Sequence, residues 1–371
     1  MKNRVAEARP RPWLRLLCAV CAAWCLHGPL LAQDSADARS ELLDWISGGV
    51  GLNQNYDDNV LEYSGSEIRQ FNEGTKPPKY ILENTTDVVT NLRVRLTLSP
   101  PLFSGEFRSL VRAKLNRYWN RTNTFRTYTT WGLEFKQYLW DINSVALQFN
   151  ALPKYYLRNL FYRRYRQTTR LPSQYIPEEL SKKSYAVEVG RRITSKLTLA
   201  LNYRQERSTY NDEFYERSNT AREYTVETDY KFSRWVRAGV DLSLTESWAN
   251  GRENFENPVY DSLSDISSRS IRVIATCTVN LRPLIGVPLE IQPELTYDHQ
   301  TYRSGKPGDI FHFGRIDKYA KFVTEFRYPL LRRLDCSLQY SWEENRTNLG
   351  DTGDAGSYQE HRIGVGLDYS F

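Results

Sequence analysis

The chain has 371 residues, of which 40% are hydrophobic and 25% charged, with 25 Tyr, 9 Trp and a single Met. Its formal net charge of +6 is inflated by the Lys and Arg of the first fifteen residues, so charge gives little support to nucleic-acid binding. A helical membrane protein is excluded, because beyond the N-terminal segment nothing approaches the ~20 consecutive apolar residues of a membrane helix.

At the N-terminus, Lys2, Arg4, Arg9, Arg11 and Arg15 precede an apolar run over 16–26 and the small residue Ala32. This is the pattern of a secretory signal over residues 1–32, cut near Ala32. Three Cys lie inside it, and only Cys277 and Cys336 follow. Two cysteines are too few for a disulfide-stapled secreted scaffold.

From residue 45 onward, period-two alternation dominates. In "DVVTNLRVRLTLS", Val88, Thr90, Leu92, Val94, Leu96 and Leu98 share one face, while Asn91, Arg93, Arg95 and Thr97 share the other. Fourteen segments of this kind follow one another, from the first around Val50 and Leu52 to the last, where Ile363, Val365, Leu367, Tyr369 and Phe371 alternate with Arg362, Gly364, Gly366 and Asp368. Short links at 99–105, 140–143, 193–196, 233–235, 282–288 and 329–333 take turns with long polar links at 57–82, 120–126, 156–183, 207–221, 249–268, 302–315 and 345–358.

An even strand count with short turns at one end and long loops at the other predicts an all-β fold: a transmembrane antiparallel up-and-down β-barrel of about 14 strands. Residues 33–44 are then a short periplasmic segment and 45–371 the outer-membrane barrel. Lipid offers backbone N–H and C=O groups no partner, so the sheet must close, with strand 14 against strand 1. Gly48, Gly49, Gly51, Gly364 and Gly366 fall at that seam. Trp119, Tyr203, Trp248, Tyr297 and Trp342 near the loop ends, and Phe232, Trp235, Tyr328, Tyr369 and Phe371 near the turn ends, form two aromatic belts. Cys277 and Cys336 fall on the lipid face two strands apart, too far for a bridge.

The inward face carries the candidate functional residues. Arg93, Arg95, Arg108, Arg112 and Lys114 form a basic wall on strands 2 and 3. Facing it, Glu227, Asp229, Asp241, Glu290, Glu294 and Asp298 lie among Lys231, Arg237 and Arg272 on strands 8 to 11. Charged walls of this kind tune selectivity for small polar solutes in a pore, and the opposing reading is a lumen closed by salt bridges. In the 156–183 link, Arg158, Arg163, Arg164, Arg166 and Arg170 stand among aromatics. That segment constricts the lumen, holds the phosphates of lipopolysaccharide through bidentate Arg contacts, or is simply a solvated basic loop.

"GLNQNYDDNVL" (51–61), through Tyr56, Asp57, Asn59 and Val60, resembles a stretch common near the mature N-terminus of outer-membrane barrels, including the β-barrel porin 2 family. The resemblance implies a Gram-negative outer-membrane location and diffusion of small solutes. The last strand is similar to the C-terminal signal read by the barrel assembly machinery, with Tyr369 and Phe371 carrying the likeness. Outer-membrane lipids and that machinery are thus the expected partners, and nucleic acid is not.

Two rivals remain. An exporter or surface-assembly component would use the same barrel with a separate periplasmic partner. A barrel hydrolase would need a base, for which His299, His312 and His361 are present, yet alternation turns Asp298 and His299 to opposite faces. No metal-ligand spacing or nucleotide-binding glycine loop appears, so no cofactor and no metal is expected.

Overall fold

A computed structural model describes residues 45–75, 79–99, 107–140, 142–162, 165–166, 169–170, 174–253, 265–305, 309, 312–349 and 357–371. The expected signal and the 33–44 segment lie outside these residues. Fourteen antiparallel strands form one closed barrel. They are β1 Ile46–Asp57, β2 Asp87–Leu98, β3 Arg108–Asn120, β4 Tyr128–Leu139, β5 Asn143–Tyr162, β6 Gln174–Arg192 and β7 Leu197–Tyr210, followed by β8 Asn219–Lys231, β9 Val236–Ala249, β10 Ser268–Asn280, β11 Glu290–Tyr302, β12 Ile316–Leu331, β13 Leu334–Thr347 and β14 Tyr358–Ser370. This is a transmembrane β-barrel, with the strand count and the strand order that alternation predicts.

The alternation decides which side chain meets which solvent. Leu52, Leu133, Leu147, Leu201, Leu242, Leu295, Val365 and their neighbours are exposed on the outside, an apolar band that would be costly in water and is matched by acyl chains. Inward residues on the same strands are mainly polar, such as Asn91, Ser144, Asn202, Thr225, Ser243, Thr296 and Ser337, all buried. Cys277 and Cys336 are free thiols.

Closure runs through β1 and β14 in register from Gly49↔Ser370 to Asp57↔Arg362. At its end the Gly48 and Phe371 backbones exchange two hydrogen bonds of 3.0 Å, and a Cβ on Gly48 would lie 2.6 Å from the Phe371 ring. The glycines of β14 have a related reason. A Cβ on Gly364 would run into the Asn55 side chain, and one on Gly366 into Asn53 and Ser337. These glycines make room for cross-strand side chains at the seam, a packing role on top of the close approach that sequence suggests.

One predicted boundary is corrected. The 156–183 link is not a loop for most of its length: β5 continues to Tyr162 and β6 begins at Gln174. The ladder between them runs out to Tyr162↔Gln174, with register shifts at Leu152/Tyr155 and Tyr156/Arg158. Such irregularities break the period of two, which is why the sequence pattern appears to stop at residue 155. The hairpin therefore projects past its neighbours, and among the described residues its tip carries a two-residue ladder, Tyr165–Arg166 with Thr169–Arg170.

Candidate functional site

The lumen is divided by the first long loop, residues 58–86, termed L1. It does not stand out into solvent. Asp57 accepts a hydrogen bond from the Asn59 N–H (3.0 Å) and pairs with Arg362 at 3.1 Å, which bends the chain inward at the end of β1. Asn59 then clamps the turn: its Nδ2 donates to the Tyr63 carbonyl (2.9 Å) and to the Gln359 carbonyl (3.1 Å), and its Oδ1 accepts from the Tyr63 N–H (2.9 Å). Within the turn Glu62 takes the left-handed backbone conformation (φ 54°), rare for a residue with a Cβ.

Adjacent residues of this turn reach different walls. Glu62 comes within 4.8 Å of Glu343 on β13 and Glu360 on β14. Tyr63, 1% exposed, joins Val60, Leu61, Tyr80, Leu82 and the β5 residue Tyr156 in one apolar cluster, with Ile68 and Phe71 packed against it. L1 therefore spans the lumen from β13–β14 to β5. A short helix, α1 Gly65–Asn72, starts with a capping box between Ser64 and Glu67, which satisfies the free N–H groups of its first turn. Glu67 also pairs with Lys79 at 2.7 Å, both buried, and the Tyr80 hydroxyl donates to Gln70 (2.8 Å). At the far end Asn123 receives the Glu83 N–H (3.1 Å), and Phe125 stacks edge-on against Tyr156. Burial raises the Tyr63 phenol above its ordinary range and pushes that of Tyr80 up to about 12, where the nearby Glu67 carboxylate adds to the effect.

Below L1, the turn-side half of the lumen holds paired charges beside unpaired ones. Arg93 and Arg95 on β2 both reach Asp368 (2.9 and 3.5 Å), Arg112 pairs with Glu134 (2.8 Å), and Lys136 with Glu188 (2.9 Å). Lys114 forms no ion pair among the described residues. A cavity of about 590 Å³ opens along this wall, lined by Arg95, Arg112, Lys114, Glu134, Gln148 and Phe371 among others. On the other side, Glu227 and Asp241 face each other across β8 and β9, and Glu294 lies two strands further on. None of these three forms an ion pair among the described residues. In a ring of fourteen, β3 and β10 are diametrically opposed. Strands spaced ~4.8 Å apart and tilted by ~40° put the two walls roughly 28 Å apart, backbone to backbone.

The remaining predicted residues fall as follows. Asp229 is held by Arg237 at 2.6 Å and Asp298 by Arg272 at 2.8 Å, so both are locally neutralised. Glu290 accepts a hydrogen bond from Gln292 and is the register partner of Arg327. Arg108 sits over the Tyr138 ring, 4.6 Å from its centroid. Arg158 lines a cavity of about 300 Å³ with Glu178, Tyr210, Arg217, Tyr302 and Arg315, which reaches from β5 round to the loop before β12. Arg163 and Arg164 lie outside the described residues, as do the side chains of Arg166 and Arg170. Among the described residues, L1 carries the apolar cluster that packs against the inner wall at Tyr156. His312 bonds Asp309 at 3.1 Å in the loop before β12, whereas His299 follows the inward Asp298 by one residue and so falls on the outer face.

Sequence reasoning missed the role of L1. A signal was present in "NYDDNV" followed by the Ser64-x-x-Glu67 capping pattern, since a loop that floats in solvent needs neither a clamp nor a cap.

No family model matches the chain, and no curated protein does. Among solved structures, the chain is similar to the outer-membrane channel DcaP of Acinetobacter baumannii (13% identity, 88% of this chain and 96% of that one, TM-score 0.45). It is also similar to an anion-selective porin from Comamonas acidovorans (11% identity, 88% and 98%, TM-score 0.41) and to Pseudomonas aeruginosa OprD (11% identity, 88% and 95%, TM-score 0.39). At these identities the likeness is one of backbone architecture.

Proposed function

We propose that this protein is a passive diffusion channel of a Gram-negative outer membrane, admitting small hydrophilic solutes past L1. The observation that carries the reading is the separation of charge in the turn-side half of the lumen. Lys114 stands on one wall beside Arg95 and Arg112, which pair with Asp368 and Glu134, and on the opposite wall Glu227, Asp241 and Glu294, like Lys114, have no ion-pair partner among the described residues. A lumen built only as a packed plug would pair such groups, because an unpaired charge shut away from water is costly. Left unpaired, they need water around them, and they impose a transverse field that orders it and favours polar or charged solutes over apolar ones.

The basic segment at the tip of the β5–β6 hairpin fits a role in holding lipopolysaccharide phosphates, and Tyr369 with Phe371 fits the signal that assembly machinery reads. The resemblance to the β-barrel porin 2 family rests on Tyr56, Asp57, Asn59 and Val60, three of which serve to fold L1 inward. Purified protein in planar bilayers tests the proposal. Discrete conductance steps are expected, with an ion preference that moves when either charged wall is neutralised. A bilayer that stays silent despite a folded, heat-modifiable barrel overturns it.

A further inference from the structure

Glu343 on β13 and Glu360 on β14 are register partners. Two inward carboxylates thus face each other on neighbouring strands, an arrangement that destabilises a sheet unless something neutralises it. L1 adds a third: the clamped turn at Asn59 sets Glu62 over the pair, and one carboxylate oxygen from each of the three lies within 4.8 Å of the others. Glu343 is buried and Glu360 wholly so.

Two cationic side chains reach the cluster among the described residues. On β14, Arg362 contacts Glu360 and lies 4.0 Å from Glu343, but it is also committed to Asp57 of β1 at 3.1 Å. On β12, Lys321 pairs with Glu343 at 3.1 Å, and the Tyr319 hydroxyl donates to the same carboxylate (3.0 Å). Tyr358 of β14, two residues before Glu360, stands beside the cluster. Four carboxyl groups, Asp57, Glu62, Glu343 and Glu360, thus share two cationic side chains, Lys321 and Arg362. Independently of that count, the Glu360 Oε2 atom, on a side chain with no exposure, has no hydrogen-bond partner, and its carboxylate is aimed at the other two.

We infer that Glu62, Glu343 and Glu360 form a divalent-cation site that fastens L1 to the barrel wall, with Ca²⁺ as the ion that fits. The donors are all carboxylate oxygens, the choice of a hard cation. Bonds of about 2.3–2.6 Å let one Ca²⁺ bridge oxygens up to roughly 5 Å apart, which matches the spacing of the three carboxylates. The site joins a loop residue to two strand residues far from it in sequence, so the ion would act as a latch. The competing account is a proton shared between Glu343 and Glu360, with no ion.

The test uses the full chain refolded into detergent free of lipopolysaccharide, with Tb³⁺ as a luminescent probe that Tyr319 and Tyr358 sensitise. Expected is saturable emission at one ion per barrel, displaced by Ca²⁺ with an apparent Kd of about 0.1–1 mM, the range of extracellular sites. Ca²⁺ should raise the unfolding temperature above its value in EDTA by roughly 2–4 °C. Glu62→Gln, a half-buried loop substitution, should weaken Ca²⁺ competition at least tenfold while the barrel keeps its heat-modifiable migration, and Glu360→Gln should abolish it. Absence of Ca²⁺-competed emission in the unsubstituted protein, with equal unfolding temperatures in Ca²⁺ and EDTA, leaves the shared proton and overturns the site. Unchanged affinity in Glu62→Gln overturns it as well, since the ion would then be bound elsewhere.

Discussion

The two halves of the lumen solve opposite problems with the same alternating strands. Toward the long loops, L1 brings its own apolar cluster inside the barrel and buries Tyr63, Val60, Leu61 and Leu82 against Tyr156, so this half behaves like the core of a small soluble domain. Toward the short turns there is no insert, and Arg95, Arg112 and Lys114 remain beside a cavity of about 590 Å³. The difference teaches that a polar inner face does not by itself make a pore. What matters is whether another part of the chain covers that face.

The largest expected effect removes the contrast altogether. Replacing residues 60–82 with a short Gly-Ser link should leave the barrel folded, because the strand ladder does not depend on L1. Single-channel conductance should rise several-fold, and an unchanged conductance would show that L1 is not what narrows the path. A finer version is Tyr63→Ala, which empties a buried aromatic site at a cost of about 3–5 kcal/mol and should release L1 to protease at sites that are protected in the parent. Tyr63→Phe should do the reverse or nothing, since the Tyr63 hydroxyl is buried without a hydrogen-bond partner and its removal spares a desolvation cost of about 1–3 kcal/mol.

In the other half, exchanging Arg95, Arg112 and Lys114 for Gln should shift the zero-current potential in a salt gradient toward cations, and exchanging Glu227, Asp241 and Glu294 for Gln should shift it toward anions. Equal and absent shifts would mean that the walls do not govern permeation. The seam provides a check of moderate size. Gly364→Ala should destabilise the barrel by about 1–3 kcal/mol through overpacking against Asn55, and adding Asn55→Ala should recover most of the loss in a urea titration.

The smallest effect is one of pH. Burial first, and then the charge of Glu67, holds the Tyr80 phenol at about 12 against an ordinary 10.0. The folded loop thus prefers the neutral phenol. That contribution is fully present below pH 10 and is lost as pH rises through about 12. Tyrosinate absorbance of the protein and of a Tyr80→Phe variant should separate this step from the other tyrosines, with L1 loosening only in the parent.

Much of the barrel is legible in the sequence because a period of two is a local property. Each strand declares its lipid face through residues such as Leu199 and Leu201 or Val240 and Leu242, and the lengths of the links sort the two ends. The β5–β6 extension is less legible, because its register shifts around Leu152 and Arg158 erase the period that would have revealed it. The candidate site divides in the same way. Alternation places Lys114 and Asp241 on the inner face, but which charges stay unpaired depends on neighbours in register, such as Arg237 for Asp229 and Arg272 for Asp298.

By itself, the sequence determined the all-β class, the fourteen strands, their inward and outward faces and the seam at the last strand, since all of these follow from steric alternation and from the need to satisfy backbone polar groups in lipid. The tertiary structure alone decided that L1 turns inward, that Tyr63 is its buried anchor, and that Glu62 meets Glu343 and Glu360 across nearly three hundred positions of chain. Those contacts join residues with no periodic relation to one another. Only a closed ring, which brings β1, β13 and β14 round to a common wall, puts them within reach.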